Sequence, residues 1–435
     1  MRIGIAGVGT VGASLVRLLQ SKSNLLADRC GRAITPTAYS ARSNDKDRGC
    51  NLSNLKWFDD PVALAQSDDI DVFVELIGGD RDPAFGAVMA ALESGKHVVT
   101  ANKALLAKHG VALALKAEEK GVILNYEAAV AGGIPIIKTM REALTSNSVK
   151  RVYGILNGTC NYMLTRMEDE GLSYEACLKD AQDFGYAEAD PTFDVEGFDT
   201  AHKLSILTSL AFGTQISADD IYVEGISNIT SADIIAAKNL GYRIKLLGVA
   251  QETSSGIEQR VHPTMVPMDS PIAQISGVTN AVAIEADVVG QLVLSGPGAG
   301  GDATASAVAG DLCDIAKSRP GHQHAPVLGK PASQLAPYKK AKMRAHEGGY
   351  FIRLSVNDRA GAFASIANRM AEEKISLESI VQHKSPDDKK SAAQDAQPVI
   401  LITHETTESA IRNALKQIKA DGHLAAPSQM IRIER

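Results

Sequence analysis

Cysteine is scarce in this 435-residue chain and nowhere closely paired. The five present (Cys30, Cys50, Cys160, Cys177, Cys313) are odd in number and form no C-x-x-C. That argues against a disulfide framework or a cysteine zinc site and suits a reducing compartment. No apolar run reaches the roughly 18 residues a membrane span needs. The first strand-like run starts at Arg2, leaving no room for a signal or transit peptide, so a soluble cytoplasmic protein is expected. Positive charge is not in excess either: 45 Lys and Arg stand against 51 Asp and Glu, a net charge of −6. That balance is wrong for a nucleic-acid partner. What remains is an ordinary globular composition, 45% hydrophobic and 22% charged, with length enough for two or three domains.

The opening RIGIAGVGTVGASLVRLLQ reads as a buried strand, a glycine turn and an amphipathic helix. Gly7, Gly9 and Gly12 give G-x-G-x-x-G, with Val11, Leu15, Leu18 and Leu19 on one helical face. A tight turn, close backbone approach to a pyrophosphate and free N–H groups at a helix start all require this pattern, whereas a merely structural glycine turn does not. The second strand, near residues 34–41, runs into Ala41-Arg42-Ser43 where an NAD-preferring fold would carry an acid. Arg42 there suits a ribose 2′-phosphate, so NADP(H) is favoured over NAD(H); a solvated basic loop is the bland alternative. Further β-rich runs (69–79, 95–107, 121–138) alternate with helical patterns at 83–94, 104–120 and 133–144. Alternation of this kind implies a doubly wound parallel sheet with its ligand at the carboxyl ends of the strands. Gly78-Gly79, Thr100, Lys103 and Glu127 fall at such ends.

Beyond Lys150 the pattern changes. A strand, the turn Asn157-Gly158-Thr159 and two helices lead to the stretch from Gly185 to Lys203, GYAEADPTFDVEGFDTAHK. Five acids (Glu188, Asp190, Asp194, Glu196, Asp199) fall within twelve positions of it. By itself this is a solvated acidic turn before a helix. A helix from Asp194 to Gly213 would put Glu196, Asp199 and Lys203 on one face, with Asp199 and Lys203 as i,i+4 neighbours. Residues 242–294 read as an antiparallel sheet, and GPGAGGDATASAVAGDLCDIA as a glycine turn and small-residue helix returning to the nucleotide domain or covering the cleft. A Pro- and Lys-containing linker follows. From Gly349 the order β-α-β-β-α-β is ferredoxin-like and resembles the ACT amino-acid-sensing module, with Asp358-Arg359-Ala360-Gly361 as its ligand turn and a hairpin-like or disordered loop at 385–397.

The pattern A-x-x-x-G-Y-A-E-A-D-P-x-x-D-V-x-G-x-D-x-x-x-K, from Ala181 to Lys203, resembles the signature of homoserine dehydrogenases. GTVG, VELIGG, VTANKALLA, YEAAVAGGIPIIK, ILNGTCNY and GPGAGGDATASAV resemble further blocks of that family, spread over most of residues 1–318. No kinase-like stretch precedes Met1, as in the monofunctional bacterial form. The resemblance implies an α/β protein with a Rossmann-type domain (1–150 plus about 296–330) and an α+β catalytic and dimerisation domain (151–295). A linker (331–348) and a ferredoxin-like ACT domain (349–435) complete it. It further implies reversible NAD(P)H-dependent reduction of L-aspartate 4-semialdehyde to L-homoserine in threonine and methionine biosynthesis. Lys203 would be the acid/base group and Lys103 the second lysine at the reacting oxygen, since an ammonium can stabilise an oxyanion and protonate it. Glu188 and Asp199 would hold the substrate ammonium, with Asp194 lining the pocket. The cofactor would meet Gly7, Gly9, Thr10, Val11 and Gly12 in the first turn. Its remaining contacts would be Arg42, Gly78, Thr100, Lys103, Gly185 and Gly301. A monovalent cation such as sodium would sit on main-chain oxygens near Glu127, Val130, Gly132 and Ile134. A homodimer or homotetramer with threonine as effector completes the expectation.

Two rivals are weighed against this. A phosphorylating semialdehyde dehydrogenase would use Cys160, at a helix start, as nucleophile, and would leave the acidic stretch unexplained. A non-catalytic amino-acid sensor would turn over neither cofactor.

Overall fold

The computed structural model describes residues 1–318, 324–341, 347–357, 360–382 and 396–434. The turn residues Asp358 and Arg359, the basic positions Lys342 and Arg344, and 385–395 of the C-terminal loop lie outside the described residues.

Six parallel strands form the first sheet: β1 (Arg2–Ala6), β2 (Thr35–Ser40), β3 (Lys56–Phe58), β4 (Val72–Glu75), β5 (His97–Thr100) and β6 (Leu124–Asn125). Their order is β3-β2-β1-β4-β5-β6, a Rossmann-like arrangement whose order reverses beside β1, the place where such sheets open a ligand crevice. Ile3, Ile5, Val72, Val74, Val98 and Val99 are buried, as strands covered on both faces require. The connecting helices are α1 (Thr10–Ser21), α2 (Ser23–Cys30), α3 (Pro61–Gln66), α4 (Ala84–Glu93) and α5 (Lys103–Lys120). Each end of α5 has a local cause. Asn102 accepts from Leu105 N at 3.0 Å to cap its start, and Gly121 at φ 64° ends it.

After α6 (Ala128–Ala131) the chain departs from the helix expected over 133–144. It forms only a short turn, α7 (Ile136–Lys138), that widens into a π-turn over Thr139–Ala143. Gly132 (φ 56°) and Pro135 interrupt the helical backbone here.

A second sheet follows. β7 (Val149–Ile155) pairs antiparallel with β11 (Thr279–Ala286) and β9 (Tyr242–Thr253). β9 pairs with β10 (Gly256–Pro267), and β11 with β12 (Gly290–Pro297); the two-residue β8 (Tyr222–Val223) adds to β10 in parallel. Helices α8 (Gly158–Glu170), α9 (Tyr174–Asp183), α10 (Thr192–Val195), α11 (Phe198–Phe212) and α12 (Ser231–Asn239) accompany this sheet, with α8, α11 and α12 packed directly against it.

The single helix expected from Asp194 is two. Gly197 adopts φ 87°, a left-handed conformation that stops α10 and restarts the chain as α11. Glu196 therefore does not share a helical face with Asp199 and Lys203; its carboxylate accepts instead from the Ser227 hydroxyl. α13 (Gly301–Lys317) then returns to pack on α1.

The last unit runs β13 (Glu347–Asn357), α14 (Ala362–Glu372), β14 (Leu377–Gln382), β15 (Ala396–Thr403), β16 (Thr406–Thr407), α15 (Glu408–Ala420), β17 (Leu424–Ile433). Its strand order, β17-β13-β15-β14, is that of a ferredoxin-like sheet. It is not a free appendage. β17 pairs in parallel with β10, Thr264 opposite Arg432 and Met265 opposite Ile433, so the two sheets are continuous. Glu408, in the first turn of α15, receives Arg432 at 2.8 Å and also Arg260 of β10, and Arg353 meets Asp233 at 2.6 Å. The stretch before this unit is tied down as well, through a bridge from Ile257 to Lys340.

Candidate active site

The first turn is built as a cradle. A Cβ on Gly7 would lie 2.4 Å from Leu76 O, and one on Gly12 2.2 Å from Gly7 O. These two glycines are thus fixed by close backbone approach. A Cβ on Gly9 would meet nothing within 4 Å, because that face opens outward. α1 begins at Thr10 with no side-chain cap, leaving its first N–H groups to an external acceptor such as a phosphate. The donor set and the open face fit a dinucleotide. Gly301 opens α13 against this turn: its Cβ would sit 2.8 Å from Ser14 Oγ and 3.1 Å from Thr10.

From the turn a cavity of about 280 Å³ runs between the two sheets, lined by Val11, Gly78, Asn102, Lys103, Val130 and Lys203 among others. The strand-end loops of the first sheet supply one wall and α11 another. Asp199, on the first turn of α11, is 4% exposed. Its Oδ2 lies 2.7 Å from the Lys203 ammonium, one turn along the same helix, and its Oδ1 3.0 Å from that of Lys103 at the start of α5. One carboxylate thus bridges two lysines brought from different domains. Lys203 Nζ also donates to Leu156 O at 2.7 Å. Asn157 Nδ2 donates to Asp199 Oδ2 at 3.0 Å and to Asp194 Oδ1 at 2.8 Å. Burial opposes ionisation of Asp199, but the ammonium groups of Lys203 and Lys103 outweigh it and hold its carboxyl well below the usual range. Asp194 moves the other way: burial and then the charge of Asp199 push it up. Two carboxylates whose acidities are driven apart, beside two lysines in one cavity, form a set able to bind and to move a proton.

Other expected residues stand elsewhere. Glu188 is exposed on the loop after α9, its main-chain oxygen accepting from Gln182 at 3.0 Å. Gly185 is exposed at the end of α9 with φ 74°. Neither lines the cavity. Arg42 is exposed just past the end of β2. Thr100 is fully buried and its hydroxyl is turned inward, donating to Glu75 at 2.6 Å; only its backbone remains for a ligand. Val130 lines the cavity and Glu127, Gly132 and Ile134 lie in the turn around it. The Glu127 carboxylate caps the next helical turn, accepting from Ile137 N (2.7 Å) and Lys138 N (2.9 Å). No group of three or more metal-ligating side chains occurs among the described residues.

Cys160 is fully buried, donates to Asp194 O at 3.3 Å, and its thiol is pushed up strongly by burial and by Asp194. A thiol so placed is a core residue and not an activated nucleophile, which speaks against the phosphorylating semialdehyde dehydrogenase reading. Asn157 and Glu75 were not anticipated. For Asn157 the signal was available: an Asn followed by Gly-Thr at a helix start is an N-cap, and Asn157 caps α8 through Cys160 N at 2.8 Å.

Residues 7–127 match the family model described as the homoserine dehydrogenase NAD-binding domain, and residues 135–313 the model described as homoserine dehydrogenase. A homoserine dehydrogenase of Pseudomonas aeruginosa is 44% identical, over 100% of this chain and 99% of that protein. The crystal structure of a homoserine dehydrogenase from Thiobacillus denitrificans superposes with a TM-score of 0.92 at 41% identity, covering 100% of this chain and 98% of that one. A hyperthermophilic archaeal homoserine dehydrogenase in complex with NADPH matches 73% of this chain and 98% of its own, at 27% identity and a TM-score of 0.62.

Proposed function

The chain belongs to the homoserine dehydrogenase family, an NAD(P)-dependent oxidoreductase with a nicotinamide-cofactor-binding domain, and from that premise we propose how its residues divide the work. The observation that carries the proposal is the Lys103–Asp199–Lys203 bridge in the cavity that opens from the glycine turn. The substrates are L-homoserine and L-aspartate 4-semialdehyde, and the bound nicotinamide supplies or takes up the hydride at the substrate carbon. Lys203 donates the proton to the oxygen in reduction and takes it back in oxidation. Lys103, from the cofactor side, stabilises the same oxygen as charge develops on it. Asp199 is assigned to holding both ammonium groups in line, because each of its oxygens is committed to one of them. The substrate's own ammonium is assigned to Glu188, whose exposed loop would have to close over the cavity to reach it, with Asp194 held beside Asp199 through Asn157.

NADP(H) is the favoured cofactor: β2 ends at Ser40 without a carboxylate and Arg42 follows, exposed. The archaeal relative described with NADPH supports the same choice. A monovalent cation such as sodium fits the main-chain oxygens of Glu127, Val130, Gly132 and Ile134. α6 ends among them, and the last carbonyls of a helix lack helical partners. The C-terminal ferredoxin-like unit is read as an ACT domain that takes threonine, on a chain that works as a homodimer or homotetramer. No helix among the described residues is long and apolar enough to cross a membrane.

The test is homoserine-dependent reduction of NADP and NAD, followed at the reduced-cofactor absorbance, with and without threonine. Loss of one bidentate phosphate partner is on the order of 1.5–3 kcal/mol. Arg42→Ala is therefore expected to raise KM for NADP by roughly tenfold or more and to leave KM for NAD unchanged. Equal effects on both cofactors would remove Arg42 from the 2′-phosphate site, and indifference to threonine at every concentration would remove it as effector.

A further inference from the structure

β4 ends on Glu75, which has no exposed surface and which hydride transfer does not itself require. A carboxylate sealed away from water is costly unless its oxygens are fully used, and here they are. Oε1 accepts from Ile77 N at 2.8 Å and Gly78 N at 2.9 Å. Oε2 accepts from the Thr100 hydroxyl at 2.6 Å. Thr100 Oγ1 in turn accepts from Asn102 N at 3.0 Å, and Asn102 Nδ2 donates to Gly79 O at 2.7 Å. The bonds close into a ring that locks the loop after β4 to the loop after β5. Gly78 and Gly79, at φ 86° and 85°, allow the first loop to turn its N–H groups inward onto the carboxylate. The last member of the ring, Asn102, uses its Oδ1 to cap α5 through Leu105 N at 3.0 Å. The first residue of α5 is Lys103, whose ammonium stands 3.0 Å from Asp199.

We propose that Glu75 is a positioning residue of the dehydrogenase. It touches no reacting atom; through Thr100, Asn102 and the start of α5 it sets where the Lys103 ammonium meets Asp199, and through Gly78 it shapes the facing wall of the cavity. The inference rests on Lys103 acting at the reacting oxygen. A negative side chain is needed because two main-chain N–H groups and one hydroxyl all point at it. An amide would satisfy the N–H pair and leave the Thr100 hydroxyl without an acceptor.

The experiment is a double-mutant cycle on the full-length enzyme, with kcat, the two KM values and the melting temperature measured for each variant. Misplacing a reactive group by about 1 Å costs on the order of 100-fold, so Glu75→Gln is expected to lower kcat roughly tenfold while KM for homoserine stays within about twofold. In a Lys103→Ala background the same change is expected to be silent, because the group it positions is gone. Losses that multiply in the double variant, or a Glu75→Gln enzyme with wild-type kcat, would overturn the proposal. Undiminished activity of Lys103→Ala alone would instead refute the assignment of Lys103, and the inference with it. Should Glu75→Gln fail to fold, Thr100→Val breaks the same ring at one bond and carries the same cycle, with the same two outcomes.

Discussion

Lys203→Ala separates catalysis from stability. The ammonium makes two polar contacts, Leu156 O at 2.7 Å and Asp199 Oδ2 at 2.7 Å. Removing it does not orphan Asp199, which keeps Lys103 at 3.0 Å and Asn157 at 3.0 Å. The lost pair is also offset by relief of the desolvation a buried ammonium suffers, so net destabilisation of about 1–2 kcal/mol is expected, a shift of a few degrees in melting temperature. Activity is another matter. A positioned general acid contributes roughly 10²–10⁴-fold, and at 1.36 kcal/mol per decade that is about 3–5 kcal/mol of barrier. If Lys103 stabilises the oxygen as proposed, the loss should stay within that range and not reach zero activity. The assay is kcat for homoserine oxidation at saturating cofactor, alongside thermal unfolding of the same preparation. A variant that keeps its melting temperature and loses about a thousandfold in kcat meets the expectation. A kcat within about threefold of wild type, in a folded variant, would refute the role assigned to Lys203.

Asp199→Ala should behave in the opposite way. It strips the shared partner from two lysines, and breaking a buried ion pair costs on the order of 3–5 kcal/mol, so a large fall in melting temperature should accompany the lost activity. Asp199 and Glu408 both have folded-state pKa values below their unfolded ones, Glu408 down to about 2 because Arg432 and Arg260 outweigh its burial. Their stabilisation is thus complete above the unfolded carboxylate range of about 4 and is lost as pH falls below it. Thermal unfolding between about pH 5 and 2 should show that decline, and a flat profile would contradict it. Cys160→Ala removes a buried thiol and should cost about 1–2 kcal/mol of stability while kcat changes less than about twofold; abolished turnover would restore the nucleophile reading. Glu408→Ala removes the buried carboxylate that Arg260 and Arg432 share and leaves them only Glu258 and Glu224, so urea unfolding should report a loss of roughly 3 kcal/mol.

Much of the first sheet was legible because its causes are local. A buried strand, glycines spaced for a tight turn and an apolar helical stripe are all within about twenty residues of one another, and the backbone follows them directly. The pairing of Asp199 with Lys203 was legible for the same reason, since i,i+4 spacing on a helix sets their distance. The helix start was misjudged by four residues because Gly197 could be read as an interruption or as a tolerated glycine. Its close approach to Val261 and Val223 decides the matter, and those residues are more than twenty positions away. The same holds for Thr100, expected among the cofactor contacts from its place at a strand end, whose hydroxyl is taken up by a carboxylate 25 positions earlier.

By itself, then, the order of residues determined most of the elements, the dinucleotide turn, the ferredoxin-like tail and the short list of lysines and acids, because each depends on neighbours along the chain. Only the tertiary structure decided which of those acids serve which lysine. It put Lys103 on Asp199 across nearly a hundred residues, left Glu188 on the surface, and closed a ring around Glu75. It also fused the tail to the central sheet through β10 and β17. Each of these is a contact between segments far apart in the chain, set by how two sheets and their loops pack against each other, and no local periodicity encodes that distance.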